Sequence, residues 1–537
     1  MSIGEADAEH DKQFLEECFV DNGDYEILAN TASTQSIIVG RTGVGKSALL
    51  EELGKNFERV IKIEPEHLAL KYISNSNILK FFESAGVNLD IFYTLLWQHT
   101  FAVELIKDKY QIDSADAKSK FYNIFSNLLS KNSKKKEALE YIEEWGEKFW
   151  VDTEKRIIDI TEKLESNLTS TLSTNIPAIK FSAGGAVKLT EEERSSVLYH
   201  GTKVVNKVQI EKLARLINFL AEDVFTDDQK KTYVIIDKLD ENWVDDDLRY
   251  KLIRALIETI KKFKKIENVK IIITLRVDLL NRVLEKTRDS GFQKEKYDSL
   301  FLRLEWTRSQ LKTLLDKRIN RLLKYQYTNS QVNFDDIFSN KIDRLSAADY
   351  ILDRTLLRPR DAILFVNNCL IEAEGKTEIT GSIIKTAEKN YSATRLESLQ
   401  YEWFVEHPLL EKYISILHRK SPSFKVSTIS TDELEKIIIE MGDCSVENGD
   451  IVTKIAHKYS TSSYPEHVKY LTEFKQHLLF TLYKIGVVGI KTDGTSQTRW
   501  IHDRTQDLIP SKVEVTSIVY IHKILWRTLA IDESQSA

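Results

Sequence analysis

Eight consecutive residues carry the densest chemistry in the chain: Gly40-Arg41-Thr42-Gly43-Val44-Gly45-Lys46-Ser47. Their spacing is G-x-x-x-x-G-K-S. The glycines let backbone N–H groups curl around a phosphate chain, Lys46 reaches the terminal phosphates, and Ser47 offers a hydroxyl to magnesium. The helical pattern that follows would aim its partly positive N-terminus at the same anion. The metal needs a further acidic partner. Asp237 ends the apolar run 233–236 (YVII), so its carboxylate should emerge at the sheet edge beside the loop. Three and four residues on stand Asp240 and Glu241. One carboxylate can hold the ion while another, slightly further away, orients an attacking water. The plainer readings are a helix cap for Asp237 and a solvated acidic turn for Asp240 and Glu241. The cofactors called for are ATP and Mg2+.

Two arginines extend this set. Arg276 follows the β-like run 269–274 on the same sheet edge, where it could touch a terminal phosphate or stabilise charge during transfer. Arg360, beside Pro359, lies where a lid could reach back to the nucleotide; otherwise it is a helix-start arginine pairing with Asp361 or a neighbour. Other candidates are weaker. Eleven histidines include no pair spaced around a glutamate for zinc hydrolysis, and His99 reads as a core residue of an aromatic-rich helix. The basic stretch 261–265 suits a helix C-terminus better than a nucleic-acid patch, and 132–136 reads as an exposed loop.

The elements that must position these residues are short. Apolar β-branched runs at 36–39, 60–63, 233–236, 269–274 and 300–304, separated by helical stretches, predict a parallel sheet covered on both faces. The expected fold class is α/β: a P-loop NTPase with a parallel sheet, a large helical insertion, a helical lid and a C-terminal winged helix. Residues 1–64 and 231–306 would form the nucleotide core. Between them, 65–230 reads as a helical insertion for interaction or sensing, with amphipathic steps from Leu139 to Leu168 and a small hairpin around Gly184-Gly185. Residues 307–400 would be the lid. The last unit, 401–537, holds a helix at 467–484, then 487–490 and 499–501 across the turn Thr492-Asp493-Gly494-Thr495. A helix followed by a two-stranded ribbon is how a winged helix looks in sequence.

At 537 residues the chain is too long for one core, and 42% apolar with 29% charged residues is ordinary for a globular protein. Gly (19) and Pro (7) are scarce, which excludes collagen-like and disordered classes. No run approaches a membrane span, the first residues lack a signal-peptide pattern, and Cys18, Cys369 and Cys444 form no metal or disulfide spacing. A cytoplasmic protein without membrane contact is the expectation. The net charge of −6 gives no global reason to bind nucleic acid, and residues 401–537 hold 16 Lys/Arg against 18 Asp/Glu. A duplex-binding face would have to be local, around Arg419, Lys420 and Lys425 or around Lys491 and Arg499.

Together, the loop, Asp237-x-x-Asp240-Glu241, Thr274-Leu275-Arg276 and Pro359-Arg360 resemble the AAA-like signal-transduction ATPases with numerous domains, the STAND group. Its neighbourhood includes NACHT modules and origin-recognition ATPases. Further stretches, KIEPE at 62–66, YTLLWQHTFAVE at 93–104, KLDENW at 238–243 and ITLRVDL at 273–279, are similar to bacterial FunZ-type P-loop ATPases. The resemblance implies an ATP-hydrolysing switch that assembles with itself and with protein partners, plausible in antiviral phage defence, with a winged helix packed on the nucleotide domain. The alternative is a DNA-associated ATPase of the origin-recognition kind. Lys238 departs from the NACHT pattern, where a small residue follows the metal aspartate, and no glutamate directly follows Asp237. The identity of the base therefore stays open between Asp240 and Glu241.

Overall fold

β-branched runs buried on both faces can satisfy their backbone only in the interior of a sheet, and three such runs form the interior of a five-stranded sheet in the computed structural model of the chain. The structure describes residues 1–65, 85–111, 207–287, 295–441, 450–501 and 508–532, except 242, 325, 326, 340, 464 and 465, with isolated positions between 66 and 206. The expected steps from Leu139 to Leu168, the hairpin at Gly184-Gly185 and the basic stretch 132–136 lie outside these residues, single positions apart. The chain divides into two units, Asp21–Arg41 with Lys46–Leu304, and Met1–Val20 with Thr42–Gly45 and Glu305–Ala537.

In the first unit, β1 (Ile37–Gly40), β2 (Val60–Ile63), β3 (Thr232–Ile236), β4 (Val269–Arg276) and β5 (Phe301–Arg303) stand in the order β2-β3-β4-β1-β5, all parallel. β1 and β3 are buried throughout, and β4 is buried up to its last residue. Because β4 lies between β1 and β3, the register sets Gly40 against Arg276 and Ile236 against Ile273. The residues after β1 and β3 and at the end of β4 therefore share one edge. Helix α1 (Lys46–Asn56) starts directly from the loop after β1.

Helix α2 (Asp90–Tyr110) is apolar almost all round, and its buried residues join the core of the sheet with α3 (Asp246–Phe263) and α4 (Val277–Lys286). The indole N–H of Trp97 donates to the Leu252 carbonyl at 2.8 Å inside that core. The described residues at both ends of the expected 65–230 insertion, in α2 and in the helix Lys207–Phe219, pack into this core. A helix without a polar face has to be enclosed.

In the second unit, α5 (Arg308–Leu323) opens on a capping box between Thr307 and Gln310, and α6 (Pro359–Glu372) opens on a proline at its first turn. The long α7 (Gly381–Trp403) packs along α6. Residues 1–20 belong here, not with the sheet as the 1–64 boundary implied. Asp11, buried, pairs with Arg318 of α5 at 2.5 Å, and Asn367 of α6 brackets Ile3 and Gly4 with two hydrogen bonds of 2.9 Å. An acidic terminus finds its cation three hundred residues away, which no local pattern reveals.

Strand β6 (Ser423–Lys425) precedes helices α8 (Thr431–Glu440), α9 (Ile451–Thr461) and α10 (Glu466–Ile485), and β7 (Val488–Lys491) and β8 (Ile518–Ile521) follow them; the three strands form an antiparallel sheet ordered β6-β8-β7. The expected ribbon of 487–490 with 499–501 reduces to one bridge, Ile490 with Arg499; the strand that pairs β7 is β8. Gly489 lies under the Trp500 ring, where an added Cβ would come within 2.6 Å. Among the described residues no helix is long and apolar enough to cross a membrane.

Candidate nucleotide-binding site

At the edge of the parallel sheet, Asp237 is held from two sides. Ser47 Oγ donates to its Oδ2 at 3.0 Å, and Thr274 Oγ1 at the end of β4 donates to its Oδ1. A loop hydroxyl and the strand-end aspartate thus meet as the expected metal pair, an all-oxygen set suited to a hard cation. Lys46 Nζ donates to the Gly40 and Arg41 carbonyls, both at 3.2 Å. Desolvation pulls its pKa below the ordinary lysine value, against the attraction of Asp240 and Asp237. A half-buried ammonium on neutral acceptors gains most when an anion arrives.

The turn after Asp237 is built by Lys238, whose φ of 60° is left-handed, a conformation that favours glycine. Its carbonyl accepts from Glu241 N–H at 3.1 Å. From behind, Arg249 of α3 donates to the Asp240 and Glu241 carbonyls at 3.2 and 2.8 Å and pairs with Asp246 at 2.6 Å. The side chains of Asp240 and Glu241 stay exposed, open to a water. Arg276 lies 3.8 Å from Asp240 Oδ2 and grips Asp278, with contacts of 3.0 and 2.8 Å. Its guanidinium faces the acidic turn, already oriented by a carboxylate.

The middle of the loop is anchored within the other unit. Thr42 O accepts from Arg358 Nη1 at 2.9 Å, Gly43 O from the Arg360 backbone N–H at 3.3 Å, and Val44 O from Trp306 Nε1 at 2.8 Å. Gly43 has φ +77°, and a Cβ there would come within 2.7 Å of Arg360 Cβ. Arg360 Nε donates to Ala6 O at 3.1 Å; burial lowers its pKa, with Asp7 opposing. Arg358 is 2% exposed and pairs with Asp361 at 3.0 Å and Glu402 at 3.4 Å, while Arg395 reaches Asp361 at 3.3 Å. Burial opposes the Arg358 charge, but these two carboxylates overcome it and raise its pKa. Burial likewise pushes Asp361 up, yet Arg358 and Arg395 hold it at about 2. Thr42 Oγ1 is buried and, among the described residues, has no hydrogen-bond partner.

Residues 309–400 match the FunZ-associated C-terminal helical domain. The chain is 25% identical, over 546 residues, to the transposon gamma-delta 80.3 kDa protein of Escherichia coli strain K12, spanning 100% of this chain and 68% of that one. Among solved structures, a Walker-type ATPase of Pyrococcus abyssi is 14% identical with a TM-score of 0.35, covering 96% of each chain. The ORC2 protein of Aeropyrum pernix, solved as ADPNP–ADP complexes, is 12% identical with a TM-score of 0.32, covering 95% of this chain and 92% of that one. At these scores the two structures bear on neither the site nor the activity.

Sequence reasoning thus assembled Lys46, Ser47, Asp237, Asp240 and Arg276 around one sheet edge, and Arg360 against the loop at Gly43. It missed Arg358, Trp306, Thr274, Arg249 and Asp278. Arg358 had a signal, since Asp361 lies one helical turn on; Asp278 is two residues beyond Arg276. Nothing local marks Trp306 or Arg249. His99 is the core residue expected: it is 1% exposed, bonded to Tyr141 Oη at 2.8 Å, and lowered by burial to about 3.

Proposed function

We propose that the chain is a Mg2+-dependent ATPase acting as a molecular switch, whose nucleotide state controls its assembly with partner proteins. The observation that carries this reading is the Ser47–Asp237 hydrogen bond, at the start of a helix entered from a G-x-x-x-x-G-K-S loop. Ser47 and Asp237 would hold magnesium, which when bound neutralises charge on the phosphate oxygens. Lys46 would move from carbonyl acceptors to the phosphates, and the buried Thr42 hydroxyl would gain an acceptor. Asp240 or Glu241, set by Arg249 on an exposed turn, would take the proton of the attacking water. Arg276 and Arg360 would respond to the third phosphate, giving the ATP and ADP states different energies. The helices and three-stranded sheet of 423–521 support a winged helix, and 307–400 a lid. Partner assembly and a role in phage defence rest on the family resemblance.

Calorimetry with ATP and Mg2+ tests this directly. The parent should bind and hydrolyse, and Lys46→Ala should lose tight binding, by about 100-fold given the strength of charge-assisted hydrogen bonds, while staying folded. Equal affinity of parent and variant would overturn the assignment.

A second reading, duplex DNA binding, is favoured by α9: its exposed Lys454, His457 and Lys458 stand on a helix without any Asp or Glu. Salt-dependent duplex binding lost in Lys454→Ala/Lys458→Ala would support it.

A further inference from the structure

We propose that Arg358 and Trp306 are positioning residues of the phosphate loop, fixing the Thr42 and Val44 carbonyls so that the N–H groups of Gly43 and Gly45 are presented to a phosphate. This rests on the reading of the loop as a nucleotide site. In a trans peptide the C=O of one residue points opposite to the N–H of the next. Holding Thr42 O therefore orients Gly43 N–H, and holding Val44 O orients Gly45 N–H. These two peptide planes most need holding, because each is followed by a glycine at positive φ, +77° at Gly43 and +101° at Gly45. A glycine offers little steric resistance when its preceding peptide plane rotates. The side-chain donors fall on these two carbonyls, Arg358 Nη1 at 2.9 Å and Trp306 Nε1 at 2.8 Å, and the intervening Gly43 O is taken by the Arg360 backbone.

Arg358 is not a phosphate-neutralising arginine. Asp361 and Glu402 already match its charge inside the protein, and its contact with the loop is a single donation to a carbonyl. It acts through Thr42. Trp306 acts through Val44, which is itself 5% exposed, and the indole N–H approaches no closer than 4.0 Å to an ideal Cβ on Gly45, leaving that glycine room. The donors come from separate segments, one just before α5 and one at the start of α6, so each can be removed alone.

The test uses the full-length chain with Trp306→Phe, Arg358→Lys and Arg358→Met, each checked for a cooperative melt. Trp306→Phe keeps the ring and removes the donor; it should weaken ATP–Mg2+ and ADP binding about five- to ten-fold in calorimetry, the scale of one hydrogen bond. Arg358→Met should lose at least as much, and Arg358→Lys should recover part of it, a rescue that loss of packing alone would not show. A second arm needs no nucleotide: backbone hydrogen exchange of a peptide covering 38–50 should quicken in Trp306→Phe and Arg358→Met. Parent-like affinity together with parent-like exchange would overturn the anchoring role while leaving the site assignment standing. A parent chain that binds no nucleotide would overturn both.

Discussion

Lys46 and Arg358 each donate to carbonyls of the 40–47 loop from desolvated positions, one in the sheet unit and the other in the helical unit, yet burial leaves them in opposite states. Arg358 has two carboxylates in contact and is more firmly charged than a free arginine. Lys46 bonds to two neutral carbonyls, and its pKa falls. Lys270 in β4 shows the limit of the second case. It is 3% exposed, donates to Ile27 O and Asn30 O at 2.8 and 2.7 Å, and burial, aided by Lys264, takes its pKa to about 7. A buried cation with carboxylates belongs to the framework; one left with carbonyls is poised, either for an anion or for loss of its proton.

The largest effect should come from the carboxylates at and just after the end of β3. In single-turnover assays, Asp240→Asn or Glu241→Gln should slow hydrolysis by about 10²–10⁴-fold at whichever is the base, with ATP still bound. Asp237→Ala should instead lose magnesium-dependent binding. Parent rates in both turn variants would place the base elsewhere.

Next comes the framework pair. Asp361→Ala leaves Arg358 and Arg395 short of a buried carboxylate and should lower stability by about 3–5 kcal/mol in urea titrations. Lys46→Ala, which removes a desolvated charge, should change it by less than about 0.5 kcal/mol. Similar losses in the two variants would break the comparison.

Lys270 sharpens it through pH. Below about pH 7 the lysine is protonated in both folded and unfolded chains, and the folded state bears the full cost of burying it. Between about 7 and 10.5 the unfolded chain still holds a proton that the folded chain has released, so stability rises with pH. The gain is on the order of 5 kcal/mol, and Lys270→Met should remove that part of the slope. A slope unchanged by the substitution would show Lys270 to be charged in the fold at neutral pH.

The smallest effect concerns Arg276, a cation of intermediate kind with one gripping carboxylate. Asp278→Asn weakens that grip while leaving the approach to Asp240, and should alter the ratio of ATP to ADP affinity by about five-fold or less, as expected of a partly exposed pair. Arg276→Ala should compress that ratio without abolishing binding. Thermal shift with each nucleotide reads both, and an unchanged ratio in Arg276→Ala would make the arginine structural.

The sequence by itself determined the parallel sheet, because β-branched runs of four to eight residues ending in Gly40, Asp237 and Arg276 can only be interior strands whose ends share an edge. It also determined the loop chemistry, since the glycine, lysine and serine act through their own backbone and side chains at fixed spacing. The tertiary structure alone decided what holds the loop. Trp306 on Val44, Arg358 on Thr42, Arg249 behind the acidic turn and β8 beside β7 are pairings whose partners lie remote in the chain or carry no periodic signature. The tertiary structure also decided which cations are framework and which are poised. That depends on whether carboxylates come within about 4 Å, and although Asp361 stands one helical turn from Arg358, charge patterning along the chain does not record the approach of Glu402 from α7.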